Sequence, residues 1–409
     1  MPARPQRTVE EHLREILNAI PAPEAVTMPL PDAGGHTLAR AARARIDAPA
    51  FDSSAMDGFA VRASDAALAS PEAPARLRVV ADLPAGSEHD PALAPGEAAR
   101  IMTGAAVPTD ADAVVPLEHT IGGLDHAGEI EIERAPALGA NIRRAGEDVR
   151  AGEEILPAGV RLGTLQLAAL ASAGVTEVTV APRPRVAVIS TGSELAPPGQ
   201  PLRRGQIPES NVRLLSGLTE DAGGIVVHTA TVPDDVPTFE TALAAAASAR
   251  ADVVVTSGGV GPGAYEVVRN ALDGPMSFVT VAMRPGRPQG FGRLPSGQLA
   301  FGLPGTPVGA AVSFEVFVRP ALLALQGRAD AQRPALRLPA ARGWDARSGF
   351  RRYVPVAIDR SAGWAVRPAA SHGHSSVVLA LTDGFAVIPP DTVVRPGDLV
   401  ETILLGGLS

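Results

Sequence analysis

Apolar segments that alternate with helical patterns between residues 185 and 325 constrain the fold of this chain more than any other feature. The apolar segments are short and lie at 185–190, 225–231, 252–256, 278–283 and 299–303. The patterns between and after them predict helices at 211–222, 237–251, 265–272 and 307–325. Strands that are apolar on both sides are typical of parallel sheets covered by helices on both faces. The sequence therefore predicts an α/β unit with a parallel sheet over residues 181–326.

The segments before and after this unit show a different pattern of apolar and turn-forming residues. Thr8 and Glu11 have the spacing of a capping box, which predicts an amphipathic helix from there to about Ile20. Residues 25–180 contain short alternating runs between Gly, Pro and Asp, which predict many strands and turns and one helix at 164–173. The chain is β-like again from 327 to its end. With 409 residues it should hold several domains, so we expect an α/β domain combined with β-rich domains.

Composition excludes several classes of function. The chain has no cysteine, which removes disulfides, thiolate catalysis and cysteine-ligated metals. Its formal net charge is −8 and its arginines are scattered, so no basic stripe for nucleic acid is present. No uninterrupted apolar run reaches the roughly 18 residues that span a bilayer, and no signal-peptide segment is evident. We therefore expect a cytoplasmic protein that does not bind membranes.

A Gly-rich loop at 256–263 gives the strongest local signal. The sequence VVVTSGGVGPG runs from an apolar strand into this loop, and a helix is predicted next. At the carboxyl edge of a parallel sheet, such a loop can turn the backbone amides at Ser257, Gly258 and Gly259 toward an anion. The pattern is neither a Walker A loop nor GxGxxG. The alternative is a tight turn that binds nothing.

Carboxylates follow three of the predicted strand ends. Glu194 comes after the first strand, Asp234 and Asp235 after the second, and Glu266 lies just beyond the Gly-rich loop. Carboxylates that converge beside a phosphate loop are suited to Mg²⁺, which prefers oxygen ligands and shares them with substrate phosphates. Each acid could also be a solvated surface residue, and for Asp235 we favour that interpretation.

Two further turns of the α/β unit could bind an anion. Arg284 and Arg287 lie in the turn MRPGRP, where Pro and Gly would hold two guanidinium groups for an oxyanion. A basic surface turn is the alternative. The sequence LPGTP at 303–307 opens a helix, with Thr306 as a predicted N-cap, and its exposed amides could serve an anion or only begin the helix.

Polar residues of the 45–146 segment are ambiguous by themselves. Asp57-Gly58 has the composition of a β-turn, and Thr103-Gly104 is equally uninformative. His372 and His374 lie close together without partners, which is weak evidence for a metal site.

Taken in order, six segments resemble the molybdopterin molybdenumtransferase family, which includes bacterial MoeA and the E domain of gephyrin. They are PAFDSSAMDGFAVR (49–62), RIMTGAAVPTDADAVVPLE (100–118), VISTGSEL (188–195), VTSGGVGPGAYE (255–266), MRPGRPQGFG (283–292) and LPGTPVGAAVSFEVFVRPAL (303–322). The resemblance covers the chain from about residue 8 to its end.

The resemblance implies an elongated homodimer of multidomain subunits. The α/β domain, 181–326, would be similar to molybdopterin adenylyltransferases, and the N-terminal helix, 1–24, would pack on it. The other implied units are a linking domain at 25–44 and 147–180, a β-rich inserted domain at 45–146, and a C-terminal β-barrel-like domain at 327–409. In the family the inserted domain reaches toward the active site of the partner subunit.

The implied reaction starts from adenylylated molybdopterin and molybdate, requires Mg²⁺, and releases AMP in molybdenum cofactor biosynthesis. By motif position, Asp57, Glu194, Asp234 and Glu266 would be the catalytic acids, and the last three would bind the metal. The residues implied to bind substrate are Thr103, Ser257, Gly258, Gly259, Arg284, Arg287, Pro304, Gly305, Thr306 and Ser375. Molybdopterin adenylyltransferase and molybdoenzymes would be further partners.

The chain also departs from the family pattern. The family loop usually reads SGGVSVG, followed by an acid, one residue and Asp. In this part of the chain the departures are Gly261, Pro262, Ala264 and Glu266. Outside the loop they are Thr280, Arg284, Arg287, Thr306 and Gly309. These changes leave two alternatives to the active transferase. One is a catalytically weakened paralogue that acts as a molybdopterin-binding or scaffold protein, and the other is a generic Mg²⁺-dependent nucleotide hydrolase.

Overall fold

A seven-stranded core sheet lies at the centre of the α/β unit. The computed structural model describes residues 6–121, 128–263, 266–328, 330–361, 363–369 and 376–406. In spatial order the strands of the core sheet are Gln6–Arg7, Met276–Val281, Pro288–Arg293, Leu299–Leu303, Val253–Ser257, Arg185–Thr191 and Ile225–Val232. The last four are mutually parallel, as predicted, and their register aligns Ser190 with Ser257 and Ser257 with Leu303. The four chain segments that follow these strands therefore leave the sheet at the same edge.

Two strands of the core sheet, Gln6–Arg7 and Pro288–Arg293, were not predicted, and the second of them makes the sheet mixed where we expected a parallel one. Pro288–Arg293 runs antiparallel to both of its neighbours. In the sequence, the Pro and Gly residues of this strand indicate a turn. In the sheet, however, position 292 must be glycine because the neighbouring backbone lies too close for a side chain. A Cβ atom on Gly292 would lie 2.2 Å from the carbonyl oxygen of Pro275. Close backbone approach, rather than a turn, explains this residue.

Helices cover both faces of the core sheet. Their bounds are Val9–Asn18, Asn211–Asp221, Val236–Ser248, Val267–Leu272, Pro307–Ser313 and Arg319–Leu325, with a π-helical stretch at Phe314–Val318 joining the last two. The predicted capping box is confirmed, since Glu11 N donates to Thr8 Oγ1 at 3.1 Å and Thr8 N donates to Glu11 Oε2 at 2.8 Å. Two apolar clusters pack between the sheet and these helices, one on each face.

The helical segment Pro307–Leu325 is long and apolar enough to cross a bilayer by length and composition, although Glu315 and Arg319 interrupt its apolar run. Of its most apolar window, 89% is buried inside the protein. Its composition therefore reflects its place in the core, where it packs under the sheet.

Two larger β-sheets and several short pairs make up the rest of the described chain. In the 45–146 segment the strands are, in spatial order, Thr120–Ile121, Glu129–Ile132, Ala75–Leu83, Glu97–Ile101, Gly58–Val61 and Ala113–Pro116. A smaller unit contains the strands Val26–Pro29, Thr37–Leu38, Ala42–Arg43, Glu154–Leu156 and Glu177–Ala181 and the helix Thr164–Ser172. A further pair joins Ser53–Ser54 to Ile142–Arg143.

The C-terminal sheet includes one strand, Met283–Arg284, that belongs in sequence to the α/β unit. Its strands are Met283–Arg284, Arg351–Asp359, Gly384–Ile388, Leu399–Leu404 and Ala335–Pro339, with Ala365–Pro368 paired to the second of them. The predicted single strand at 278–283 is therefore divided, because Met276–Val281 stays in the core sheet while Met283–Arg284 pairs with Arg351–Asp359. The predicted fold class, an α/β domain with β-rich domains and a barrel-like C-terminal sheet, is confirmed.

Candidate functional site

A cleft of about 670 Å³ opens at the carboxyl edge of the core sheet. The ends of all four parallel strands contribute described residues to its lining. It brings together the predicted site residues Glu194, Asp234, Ser257, Gly258, Gly259, Glu266, Pro304, Gly305 and Thr306. Ligands of open α/β sheets bind at this edge, so the cleft is the candidate functional site.

The Gly-rich loop enters the cleft with backbone angles that side chains rarely adopt. Gly258 has φ +94°, and a Cβ atom there would lie 2.4 Å from the carbonyl oxygen of Thr191. Gly259 has φ +65°, and its Cβ atom would lie 2.9 Å from the amide nitrogen of Val268. Both glycines are therefore required by positive φ and by close packing.

Two side chains of the following helical segment hold the Gly-rich loop closed. The Gly261 amide donates to Glu266 Oε2 at 2.7 Å. Arg269 Nη1 donates to the Gly261 carbonyl at 2.9 Å, and the Arg269 amide donates to the Gly259 carbonyl at 3.0 Å. One carboxylate oxygen of Glu266 is thus occupied by its hydrogen bond to the loop. Ala264, one of the departures from the family pattern, lies outside the described residues.

The two acids at the ends of neighbouring strands differ in how firmly they are held. Asp234 Oδ2 accepts from the Ser193 amide at 3.0 Å, and the Asp234 amide donates to Ser193 Oγ at 3.1 Å, which joins the two strand ends. Glu194 is exposed on the same segment and lines the cleft. Asp235 instead caps the helix Val236–Ser248, where its carboxylate accepts from the Thr238 amide at 3.0 Å.

The donor set of the cleft fits a hard cation. Among the described residues, no group of three or more His, Asp or Glu side chains is close enough to form a preassembled metal centre. Mg²⁺, however, commonly binds through one or two protein carboxylates together with substrate phosphates and water. Glu194 and Asp234 can supply those carboxylates, and the second oxygen of Glu266 can supply a third.

Asn211 lines the cleft and was not predicted from the sequence. It is the first residue of the helix Asn211–Asp221 and is only 7% exposed. Its Nδ2 donates to Ser257 Oγ at 2.8 Å and to the Gly305 carbonyl at 2.7 Å. In the sequence, an Asn after Ser210 resembles an ordinary helix start, so no local signal separates it from a cap.

Thr306 and Gly309, two departures from the family pattern, lie next to each other in space at the beginning of the helix Pro307–Ser313. A Cβ atom on Gly309 would lie 2.6 Å from Thr306 Oγ1 and 3.2 Å from Pro304 Cβ. The Thr306 hydroxyl therefore occupies the space in which a side chain at 309 would stand. Thr306 is the N-cap residue, as predicted, but its side chain makes no capping hydrogen bond.

The arginine turn, residues 284–287, lies at the margin of the cleft. Gly286 and Pro288 line the cleft, whereas Arg284 and Arg287 are exposed and are absent from its lining. Arg287 stacks over the ring of Phe350 at 4.2 Å, so a residue of the C-terminal segment supports it. A buried side chain links the turn to the helix Pro307–Ser313. Gln289 Nε2 donates to the Gly286 carbonyl and to the Ser313 hydroxyl, both at 2.7 Å.

Asp57 and Thr103 contact each other in the 45–146 segment. Asp57 Oδ1 accepts from both the amide and the hydroxyl of Thr103 at 2.7 Å. These two hydrogen bonds lower the pKa of the exposed Asp57 carboxyl below its usual value. Neither residue lines the cleft of its own chain. Ser375, together with His372 and His374, lies outside the described residues.

Three regions of the chain match known families. Residues 7–174 match the MoeA N-terminal region (domain I and II), residues 187–324 a probable molybdopterin binding domain, and residues 337–405 the MoeA C-terminal region (domain IV). Molybdopterin molybdenumtransferase 2 of Mycobacterium tuberculosis is 44% identical over 395 residues, which cover 95% of this chain and 96% of that protein. The molybdopterin molybdenumtransferase of Haemophilus influenzae is 36% identical over 330 residues, 80% of each chain.

Solved structures have the same architecture over nearly the whole chain. A crystal structure of a molybdopterin biosynthesis MoeA protein from Pyrococcus horikoshii is 30% identical, with a TM-score of 0.80 over 98% of this chain and 100% of that one. A second from the same organism is 28% identical, with a TM-score of 0.83 over the same shares.

Proposed function

This chain belongs to the molybdopterin molybdenumtransferase family, and we propose that it inserts molybdenum from molybdate into adenylylated molybdopterin, with release of AMP, in molybdenum cofactor biosynthesis. The observation that carries the proposal is the single cleft that gathers the Gly-rich loop, the acids after neighbouring strands and a helix N-terminus. That combination suits a substrate with a phosphoanhydride. The names of the relatives favour an enzyme over a scaffold protein.

The residues of the cleft divide into binding and orienting roles. The Gly-rich loop and the beginning of the helix Pro307–Ser313 would bind the phosphate groups through backbone amides. Glu194 and Asp234 would hold Mg²⁺, with Glu266 as a third ligand. Bound Mg²⁺ would supply charge stabilisation at the phosphoanhydride. Arg284 and Arg287 would collect molybdate at the margin of the cleft.

Asp57 and Thr103 require a second subunit in this proposal. Since they do not line the cleft of their own chain, we place them in the cleft of a partner subunit of a homodimer. We further propose that the dimer works in the cytoplasm, where it would receive its substrate from molybdopterin adenylyltransferase and serve molybdoenzymes.

Release of AMP from adenylylated molybdopterin tests the function. We expect release to require both molybdate and Mg²⁺, and Glu194→Gln to abolish it. Complementation of a bacterial strain that lacks molybdenum insertion, scored by molybdoenzyme activity, is the cellular counterpart. A protein that binds molybdopterin but releases no AMP would support the scaffold alternative. Release of AMP from unrelated dinucleotides, without preference for the pterin, would support the nucleotide hydrolase.

A further inference from the structure

The Gly-rich loop and the turn at 303–306 are packed directly against each other. The Gly258 amide donates to the Leu303 carbonyl at 3.0 Å. A Cβ atom on Gly305 would lie 3.4 Å from Gly258 Cα. The two segments therefore meet backbone to backbone at the floor of the cleft, and their spacing determines where the amides of both can hold a ligand.

Asn211 bridges these two segments from a third element. One N–H of its amide group donates to Ser257 Oγ, and the other donates to the Gly305 carbonyl. Ser257 Oγ donates in turn to the Pro304 carbonyl at 3.2 Å. A continuous set of hydrogen bonds thus runs from the helix Asn211–Asp221 through the end of one strand to the turn after its neighbour.

The chemistry of the site explains why the residue is asparagine. A carboxamide has two N–H donors in one plane, and both are used here. Its Oδ1 is buried and has no hydrogen-bond partner among the residues that the structure describes. Burying an unpaired polar oxygen is unfavourable, so packing alone would favour an apolar residue at this position. The two hydrogen bonds that Nδ2 donates offset the unfavourable burial of Oδ1.

We propose that Asn211 is a positioning residue that sets the distance between the Gly-rich loop and the 303–306 turn. Through Ser257 and Gly305 it holds the phosphate-binding amides of both segments in one arrangement. This inference rests on the proposed function, because it assigns Asn211 a role in binding the same substrate. In this proposal Asn211 acts through Ser257 and Gly305, and not by contact with a reacting atom.

Asn211→Leu is the variant that isolates this role. Leucine keeps the branch at Cγ but has no polar atom, so the unpaired Oδ1 and both bridging bonds are lost together. Because the Gly305 carbonyl then loses a donor, we expect a moderate fall in melting temperature, which is measured alongside activity. We expect kcat/KM for AMP release to fall by roughly 10- to 100-fold, because small misplacements of binding groups are costly in catalysis. The affinity for molybdopterin should fall with it, and exchange of the Gly258 amide hydrogen should become faster.

A matched control is available on the same helix. Thr219 is completely buried, and within the described part of the chain its hydroxyl has no hydrogen-bond partner. Thr219→Ala should lower the melting temperature without changing kcat/KM or exchange at Gly258. In addition, Ser257→Ala should add little to the defect of Asn211→Leu, because one bridge runs through that hydroxyl.

Two results would overturn the inference. Unchanged kcat/KM and unchanged exchange at Gly258 in Asn211→Leu would show that the bridge does not set the spacing. Equal losses of activity in Asn211→Leu and Thr219→Ala would show a merely structural role. Failure of the proposed function is distinguishable, because the wild-type protein itself would then release no AMP, while exchange at Gly258 would still report on Asn211.

Discussion

The carboxylate of Glu266 accepts a hydrogen bond of 2.7 Å from the amide of Gly261. Glu266 therefore closes the Gly-rich loop, in addition to any part it takes in binding a metal. A Cβ atom on Gly261 would lie 2.4 Å from Glu266 Oε1, so the two residues are packed in contact. Gly261 is one of the departures from the family loop, and its contact with Glu266 gives that departure a physical reason.

The two roles of Glu266 can be separated by substitution. Glu266→Gln keeps an acceptor for the Gly261 amide but removes the charge, so we expect a higher Mg²⁺ concentration for half-maximal AMP release and a melting temperature close to that of the wild type. Glu266→Ala removes both, and should also speed hydrogen exchange at Gly261. An unchanged Mg²⁺ requirement in Glu266→Gln would restrict the residue to loop closure.

Adjacent aspartates provide a matched pair for the metal proposal. Asp234 lines the cleft, whereas Asp235 caps the helix Val236–Ser248 and is not part of the lining. Asp234→Asn should reduce Mg²⁺-dependent AMP release by at least about 10-fold, because it removes one charged ligand. Asp235→Asn should leave activity within about 2-fold of the wild type, since Asn is also a good N-cap. Equal effects of the two changes would contradict the assignment of Asp234.

Much of the cleft could be predicted because each part of it ends an apolar strand. Runs such as Val253–Ser257 and Leu299–Leu303 are long enough to identify, and the edge they share follows from parallel pairing. The family resemblance then assigned roles to the residues just beyond them. Local pattern and topology were sufficient for Glu194 and Asp234, which line the cleft.

The remaining features depend on contacts between distant parts of the chain. Asn211 reaches Gly305, which is 94 residues away in sequence, and nothing in the surrounding sequence encodes that contact. The strand Pro288–Arg293 was missed because its glycines serve close backbone packing, which a propensity pattern interprets as a turn. The support of Arg287 by Phe350 likewise depends on how the C-terminal segment packs.

The placement of Asp57 in a partner's cleft predicts recovery of activity by subunit mixing. Asp57→Asn and Glu194→Gln should each inactivate the homodimer. In a mixed dimer, one of the two sites would combine wild-type Asp57 from one subunit with wild-type Glu194 from the other. Statistical exchange of subunits should then restore about a quarter of the wild-type AMP release.

Mixing has a direct control. Asp234→Asn and Glu194→Gln affect the same cleft of the same chain, so mixing these two variants should restore nothing. If the Asp57→Asn and Glu194→Gln pair also shows no recovery, after exchange of subunits has been demonstrated by mass, then Asp57 does not act across the dimer.

Stability in weak acid should depend on His12, a buried residue of the N-terminal helix Val9–Asn18. The residue is 2% exposed, and its ring meets the edge of Phe317 with 4.9 Å between centroids. None of the described residues forms a hydrogen bond with its Nδ1. Burial, aided by Arg7, lowers the pKa of His12 from 6.5 to about 4. The folded protein therefore resists protonation at a pH where the unfolded chain accepts the proton.

The sign of the effect follows from this difference. Between pH 6.5 and about 4 the unfolded state binds more protons, so the free energy of unfolding falls as the pH falls, by up to ~3 kcal/mol in total. Above pH 6.5 the contribution of His12 is constant. His12→Leu should reduce the pH dependence of the urea midpoint across this window. Parallel pH profiles for the wild type and His12→Leu would show that His12 titrates alike in the folded and unfolded chains.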